Sequence, residues 1–364
     1  MKIKDIISYL ETIAPLSLQE SHDNSGLIVG DEQQEISSVL ITIDTIESVV
    51  DEAIEIGANL IVSHHPIVFN ALKKITGANY IERTIIKAIK HNIAIYACHT
   101  NLDSVFGGVN SKICEKLDLQ NCKILSPVQN YLQKLVTFVP IAQINEVKEA
   151  VFNVGAGCIG NYDKVSFIAQ GDGSFRPSEK ANPFVGEIGK LHSEKEVRFE
   201  TIFPKHIQKK VISALINAHP YEEVAYDVYN LQNKYQKAGM GMLGELKNEI
   251  NEKDFLNDLK SVFNAGSIRY TNLLNKKIKR VAVCGGSGSF LLKNAIAAKA
   301  DVFVSSDFKY HQFFDADNKI LIADIGHYES EQFTKDVFYS LLTKKFPNFA
   351  FYFSKINSNP INYL

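Results

Sequence analysis

Histidine and carboxylate side chains follow three short apolar runs of this 364-residue chain. The three strings are Ser63-His64-His65-Pro66, His99-Thr100-Asn101-Leu102-Asp103 and His327-Tyr328-Glu329-Ser330-Glu331. An apolar run of this length between polar residues predicts a buried strand, and open α/β sheets bind ligands at the carboxyl ends of their strands. Because imidazoles and carboxylates are ligands that zinc, iron and manganese accept, the pattern predicts a metal site at a sheet edge.

The two adjacent histidines are the sharpest local signal. At a strand end, the side chains of His64 and His65 point to opposite sides, so two ions about 3.5–4 Å apart suit them better than one ion does. His327 and Glu331 share one face if a helix begins near His327. Asp103 can supply an oxygen ligand, and a carboxylate there can bridge two ions. A pair of surface loop histidines is the alternative for His64 and His65.

Two further histidines are candidates for proton transfer. His99 can hold a ligand in its orientation, although an ordinary hydrogen-bonded histidine fits the sequence equally well. His311 ends the string 307–311, whose polar groups could contact a substrate or act as acid and base near neutral pH; a solvated loop is the alternative. The glycine-rich run 284–289 follows a predicted strand, and its amides could cradle a phosphate or form a tight turn beside the site.

The composition excludes several classes of function. Hydrophobic residues make up 45% of the chain, charged residues 22%, and the formal net charge is −2, as in globular proteins. The chain has no basic block, which disfavours nucleic acid as a partner, and no apolar stretch of membrane-spanning length. Residues 1–20 have the pattern of an amphipathic helix rather than a signal peptide. The five cysteines form no Cys-x-x-Cys pair, which predicts reduced thiols and a cytoplasmic location.

Strand and helix patterns alternate in the first and last thirds of the chain, which predicts an α/β fold with mostly parallel sheet and helices on both faces. The predicted strands are 39–43, 59–62, 93–97, 280–283, 302–304 and 320–323, and the predicted helices are 46–56, 80–90, 108–116 and 290–300. The segments from Val39 to Ser63 and from Val281 to Ser305 have equal length and align without a gap. This indicates two related halves that arose by internal duplication, although any two βα units share such a pattern.

The middle of the chain has a different order of predicted strands and helices. Predicted strands at 133–139, 165–170, 196–202 and 223–229 and predicted helices at 144–154 and 204–218 give the order β-α-β-β-α-β, which is ferredoxin-like. We therefore expect an α/β half at 1–128, an inserted ferredoxin-like α+β domain at 129–233, and a second α/β half at 234–364. The two halves would pack together as one metal-binding core.

These strings together resemble the Nif-three-like family, whose members carry the name GTP cyclohydrolase I type 2 homologues, in its long form with an inserted regulator-like domain. The resemblance runs nearly end to end, and its strings occur in the family's order. They are Asp-Asn-Ser-Gly-Leu-Ile-Val-Gly at 23–30, the three histidine strings above, Gly-Gly-Ser-Gly at 285–288 and Asp-Phe-Lys-Tyr-His at 307–311. The chain departs from the family at His22, where an aromatic residue is usual, and at Ser305-Ser306, which replaces Thr-Gly.

The resemblance implies a ligand set and an assembly. The residues that would hold two divalent metal ions are His64, His65, Asp103, His327 and Glu331. The resemblance also implies a toroidal homohexamer whose metal sites face an inner cavity. The inserted domain is similar to the trimeric nitrogen-regulator and copper-tolerance folds.

The sequence therefore predicts a cytoplasmic dinuclear-metal protein, most simply a hydrolase acting on a nucleotide or related phosphorylated small molecule. One ion would polarise the substrate while a bridging water attacks, with His99 and His311 as ligand-orienting or proton-transfer groups. The family name implies opening of the GTP purine ring. The alternative class is a non-catalytic metal carrier or an interaction scaffold. Three imidazoles and two carboxylates suit zinc, iron or manganese, so the identity of the metal stays open.

Overall fold

A computed structural model of the chain describes residues 1–364. The fold divides into two units, each described by itself: Met1–Pro127 with Lys237–Leu364, and Val128–Gln236. None of the helices is both long enough and apolar enough to cross a membrane.

The N-terminal segment of the first unit alternates helices and strands. Its elements are helix α1 (Ile3–Ile13), strands β1 (Gly26–Val29) and β2 (Val39–Thr42), helix α2 (Glu47–Ile56), strand β3 (Leu60–Ser63), helix α3 (Tyr80–Lys90), strand β4 (Ala94–Ala97), helices α4 (Thr100–Asp103) and α5 (Val109–Lys116), and strand β5 (Gln120–Val128). Gly57 ends α2 in the left-handed conformation, at φ 72°, which glycine adopts without a Cβ penalty. Helix α1 ends at Ile13, so the helix predicted over residues 1–20 is shorter than expected.

The second unit combines an antiparallel sheet with two helices. Its elements are strand β6 (Leu132–Pro140), helix α6 (Ile144–Asn153), strands β7 (Ser166–Phe175) and β8 (His192–Pro204), helix α7 (Gln208–Ala218) and strand β9 (Tyr226–Leu231). The strand order is β7-β8-β6-β9, and every pair runs antiparallel. Val147 and Val151 of α6 and Val211 and Leu215 of α7 are buried in one core with the sheet.

The C-terminal segment belongs to the first unit apart from the start of its first strand. Its elements are strand β10 (Tyr235–Asn251), helix α8 (Glu252–Val262), strands β11 (Arg269–Tyr270) and β12 (Lys277–Ser287), helix α9 (Leu292–Ala297), strands β13 (Val302–Ser306) and β14 (Leu321–Asp324), helices α10 (His327–Glu331) and α11 (Thr334–Lys345), and strand β15 (Phe351–Phe353). The helix predicted over 290–300 is wrong in extent, because a 3₁₀ turn at Ser289–Leu291 precedes α9. The sequence pattern does not predict β10, because its glycines and charged residues hide the strand alternation.

Two sheets of the first unit end at the histidine strings. One sheet has the order β1-β4-β3-β2-β15, in which β4, β3, β2 and β15 are parallel. The other has the order β11-β14-β13-β12-β10-β5, in which β14, β13 and β12 are parallel. The predicted mixed α/β fold is therefore confirmed. Parallel strands present their carboxyl ends at one edge, which is where such sheets bind ligands.

Candidate metal centre

The ends of parallel strands position the five proposed metal ligands. His64 and His65 follow β3 directly, and Asp103 is the last residue of α4, the short helix after β4. His327 and Glu331 are the first and last residues of α10, which follows β14 in the other sheet. The edges of two sheets in the same unit therefore contribute to one site.

The carboxylate of Glu331 lies among the histidines. Its Oε1 is 3.6 Å from His64 Nε2. Its Oε2 is 3.0 Å from His65 Nε2 and 3.1 Å from His327 Nε2. Asp103 Oδ1 is 3.6 Å from His64 Nε2. Glu331 is thus common to two ligand groups, each with ligand atoms within 4.8 Å of one another. The two groups are His64 with Asp103 and Glu331, and His65 with His327 and Glu331; a third group, without Glu331, consists of His64, His65 and His99.

Each histidine at the site has an oxygen acceptor at Nδ1. The pairs are His64 with the Cys98 carbonyl at 3.0 Å, His65 with Asp44 at 2.7 Å, His99 with Asp23 at 2.8 Å and His327 with Asp307 at 2.6 Å. An oxygen at Nδ1 holds the proton on that nitrogen and leaves the Nε2 lone pair available, as in metal-binding histidines. The Nε2 atoms of His65 and His327 face each other at 3.3 Å. Two lone pairs so close are unfavourable unless a cation or proton lies beside them.

Two buried ligand atoms without hydrogen-bond partners show whether the spacing of these residues fits a divalent ion. His64 Nε2 and Asp103 Oδ1 are buried without a hydrogen-bond partner, and their separation of 3.6 Å is too long for a hydrogen bond. Two ligand atoms about 2.1 Å from one ion in tetrahedral geometry lie about 3.4 Å apart. The spacing of His64 from both carboxylates is close to that value, so the donor set fits a metal ion.

The buried carboxylates of the site favour positive charge beside them. Burial and the neighbouring Glu331 carboxylate raise the pKa of Asp103 to about 8. Burial opposes the charged form of His65, yet Glu331 and Asp44 raise its pKa to about 10. Glu331 likewise raises the pKa of His327 to about 11, against the effect of burial. The raised pKa values favour protons on Asp103, His65 and His327, which balance the negative charge of the site, and a metal ion would displace those protons.

The glycine-rich run makes room for Glu331. Gly286 has φ +61°, and a Cβ on it would clash with Glu331 Oε1. The amides of Gly285 and Gly286 donate to Asn110 Oδ1 and Ser330 Oγ, each at 2.9 Å. These two amides are therefore not available to a phosphate. Of the two alternatives for the glycine-rich run, a tight turn beside the site fits the structure better than a phosphate-binding loop does.

The two proton-transfer candidates occupy different environments. His99 lines a cavity of about 1000 Å³ together with His65, Asp103, His327 and Glu331. His311 is exposed in the 3₁₀ turn Tyr310–Ala316, where its ring contacts neighbouring aromatic rings, and it does not line that cavity. The structure thus brings together all the predicted site residues except His311.

Three carboxylates pair with Nδ1 atoms of the site histidines, and the sequence did not predict this role for any of them. Asp44 follows β2 at the same sheet edge, so the strand-end rule applied to the histidine strings would have found it. Asp23 bonds His99 from a segment noted only for its family resemblance. Asp307 was expected to contact substrate, but its Oδ2 accepts from His327 Nδ1. Asp307 does so from a left-handed backbone, at φ 58°, a conformation that Asp tolerates better than most residues.

Apolar side chains form much of the remaining cavity wall. They are Ile46, Pro66, Ile67, Phe69, Met240 and Phe290. An apolar wall facing a cluster of polar groups is typical of small-molecule sites, and the volume is within their range. The cavity can therefore accept a planar or apolar group beside the metal ligands.

The chain is similar to known proteins over its whole length. A family model described as Duf34/NIF3 (NGG1p interacting factor 3) matches residues 1–360. A Bacillus subtilis protein named GTP cyclohydrolase 1 type 2 homolog is 39% identical over 367 residues, which cover 99% of this chain and 98% of that protein. A Staphylococcus aureus protein of the same name is 35% identical over 369 residues, covering 100% of both chains.

Solved structures share the fold. The crystal structure of a Bacillus cereus protein related to NIF3 has a TM-score of 0.87 and 38% identity, and the match covers 100% of this chain and 99% of that chain. A Staphylococcus aureus protein has a TM-score of 0.79 and 31% identity over 100% of this chain and 99% of that chain. The whole chain, including its middle segment, therefore has solved counterparts.

Proposed function

The chain belongs to the Duf34/NIF3 family, and from that premise we propose that it is a dinuclear-metal hydrolase acting on a nucleotide or related phosphorylated compound. The observation that carries the proposal is the position of Glu331, whose two oxygens face different histidines. His64, Asp103 and Glu331 would hold one divalent ion, and His65, His327 and Glu331 the other. Zinc, iron and manganese all suit this set.

If two ions bind, Glu331 rather than Asp103 would be the ligand that they share. Asp103 Oδ1 pairs with His64 alone among the site histidines, whereas Glu331 pairs with His64, His65 and His327. A carboxylate that offers a different oxygen to each ion has the geometry that a shared ligand needs. Glu331 is also 2% exposed, so its charge is poorly screened by water.

The residues around the ligands define what the site can do. When bound, divalent cations supply Lewis acidity and make water acidic enough to attack near neutral pH. Asp44 and Asp307 hold His65 and His327 in one tautomer and orientation. His99, held by Asp23 and open to the cavity, is placed to move a proton to or from a bound substrate. His311 could take that role only from outside the cavity wall.

The metal proposal is tested by elemental analysis of protein purified without chelator. The wild-type chain should carry up to about two transition-metal ions. The double variant His64→Ala/His327→Ala should lose most of them, because it removes a ligand from each group. The matched control is His91→Ala/His311→Ala, which removes two exposed imidazoles and should keep the metal. Equal metal content in both double variants would refute the ligand assignment.

The reaction is tested by a substrate screen. Metal-loaded protein would be incubated with nucleotides and phosphoesters, with GTP included because relatives carry the name GTP cyclohydrolase 1 type 2 homolog. Turnover that disappears in the Glu331→Gln variant supports a hydrolase. No turnover of any compound, together with rapid metal transfer to a chelator, favours the alternative of a metal carrier.

The architecture has a proposal of its own. We propose that 129–233 is an inserted ferredoxin-like domain and that 1–128 and 234–364 are related α/β halves around the metal centre. The order β-α-β-β-α-β and the antiparallel strand order of the second unit support the first part. A homohexamer in the cytoplasm stays the expectation from the family resemblance. Light scattering coupled to gel filtration would measure the number of chains directly.

A further inference from the structure

The sheet of the second unit has a face that its helices leave uncovered. Leu135 of β6 and Phe199 of β8 are buried in the core with α6 and α7. Because side chains alternate along a strand, Phe138, Glu196 and Arg198 point to the opposite face. A cavity of about 750 Å³ lies on that face, which is within the size range of small-molecule sites.

Aromatic rings form walls of this cavity. Phe175 at the end of β7, Phe184 in the loop that follows, and Tyr221 after α7 line it together with Phe138. The ring centroids of Phe175 and Tyr221 are 5.8 Å apart, and those of Phe184 and Tyr221 are 6.2 Å apart, with the rings inclined to one another. The faces of aromatic rings carry partial negative charge, so a cavity lined by several rings can attract a cation.

A buried carboxylate lies in the wall between the rings. Glu196 is 8% exposed, and its Oε1 accepts a hydrogen bond of 2.8 Å from the Tyr221 hydroxyl. Burial and the adjacent Glu196 raise the pKa of Tyr221, so its hydroxyl stays a donor. Gly173 on the neighbouring strand makes room, since a Cβ there would clash with Glu196 Oε2. A glycine at position 173 therefore leaves the space that the Glu196 carboxylate occupies in the cavity wall.

The charge of Glu196 has no cationic partner in the chain. Arg198 pairs with Glu200 at 2.7 Å, and Lys195 pairs with Asp172 at 2.7 Å, but no ion pair includes Glu196. Carboxylates also outnumber guanidinium groups among the lining residues, which disfavours an anionic ligand. A buried carboxylate without a counter-ion is costly unless a bound group supplies the positive charge.

We propose that this cavity is a binding site for an organic ammonium compound, whose charged nitrogen pairs with Glu196 while its apolar part packs among Phe138, Phe175, Phe184 and Tyr221. All residues that line this cavity belong to the second unit, and none of them is a proposed metal ligand. An ammonium group supplies both the N–H donors that Glu196 can accept and the positive charge that the rings attract.

The probe is phenethylamine, with 2-phenylethanol as its uncharged analogue of similar shape. Binding to the full-length, metal-loaded protein would be measured by calorimetry or by ligand-observed NMR. The amine should bind at least about tenfold more tightly than the alcohol, because only the amine forms the charge-assisted hydrogen bond and the cation–π contacts. Equal affinity for the two compounds, or no binding of the amine, would overturn the proposal.

Two variants locate the binding. Glu196→Gln keeps the shape and an acceptor for Tyr221 but removes the charge, so the preference for the amine should disappear. Glu149→Gln makes the same change on α6, where Glu149 pairs with Lys164 and does not line the cavity, and this variant should bind the amine like the wild type. Equal loss in both variants would contradict a specific role for Glu196.

A third variant keeps the test decisive if Glu196→Gln does not fold. Phe184 is 53% exposed in the covering loop, so Phe184→Ser should leave the fold intact. It should weaken amine binding several-fold without changing metal content, because one ring of the cavity is lost. Unchanged amine affinity in Phe184→Ser would place the amine elsewhere and refute the site.

Discussion

Glu331 and Asp103 differ in how many histidines they face, and this difference predicts metal stoichiometry. Glu331→Gln weakens a ligand that both groups share, so the variant should lose nearly all bound metal. Asp103→Asn alters one group only and should retain about half of the wild-type content. Elemental analysis of both variants measures the difference. Asp336→Asn, in the next helix α11 and paired with Lys116, is the control and should keep both ions.

Equal metal loss in the Asp103 and Glu331 variants would mean that the two ions bind only together. The assignment of Glu331 as the shared ligand would then lose its support. Loss of either carboxylate would release both ions, whichever carboxylate the ions share.

Proton release should accompany metal binding. His65 and His327 have pKa values raised to about 10 and about 11 in the protein without metal, so both hold a second proton at neutral pH. An ion must displace those protons, so affinity should fall as the pH is lowered. Calorimetric titration of zinc into metal-free protein, in two buffers of different protonation enthalpy, measures the release. A binding enthalpy independent of the buffer would contradict it.

His99 and His311 should respond differently to substitution, provided that the screen finds a substrate. His99→Ala removes an imidazole from the cavity and should lower turnover about 10²-fold, the usual scale of general acid–base catalysis. His311→Ala should keep full metal content, because its side chain lies outside both ligand groups. A similar loss of turnover in His311→Ala would show that the 307–311 segment reaches the substrate after all.

The segment after β15 contacts residues that hold the proposed metal ligands in place. Ser358 Oγ donates to Asp44 Oδ2 at 2.5 Å, and Asp44 in turn holds His65. Asn359 and Tyr363 bond Glu329 of α10, the helix that carries His327 and Glu331. Ser358 and Pro360 also line the cavity. This segment therefore orients residues that contact the metal ligands.

Removing residues 357–364 should weaken metal binding about tenfold or more, the usual effect of losing groups that orient metal ligands. Competition with a chromogenic chelator measures the affinity. Ser358→Ala should reproduce part of the effect, whereas Asn362→Ala, at an exposed residue of the same segment outside these contacts, should not. Wild-type affinity in the truncated chain would show that Asp44 and α10 hold their positions without this segment.

At the scale of the whole molecule, the insertion should be separable from the metal-binding unit. Strands β5 and β10 are neighbours in one sheet, and Gly239 approaches Ser126 and Pro127 so closely that a Cβ on it would clash. A short flexible linker can therefore join the ends after deletion of 129–233. The shortened chain should stay folded and keep its metal content. Circular dichroism, limited proteolysis and elemental analysis check this, and an unfolded product would count against a separable domain.

The sequence alone determined the features that depend on local pattern. Apolar runs of strand length predicted β2, β3, β4 and β13, and Gly57 predicted the end of α2, because burial of a strand and a left-handed turn are encoded by neighbouring residues. The same local rule placed His64, His65, Asp103, His327 and Glu331 at strand ends, since the carboxyl edge of a parallel sheet follows from strand direction.

Which of these groups act together depends on how the sheets pack in three dimensions. The contact of Glu331 with histidines from another sheet, and the bonds from Asp44 to His65 and from Asp307 to His327, join residues far apart in the sequence. The distance between the two residues of such a pair depends on how whole sheets pack. It is not determined by the residues that neighbour either of them in the sequence. For the same reason, the solvent-exposed position of His311 and the cavity around Glu196 became visible only once the elements were assembled.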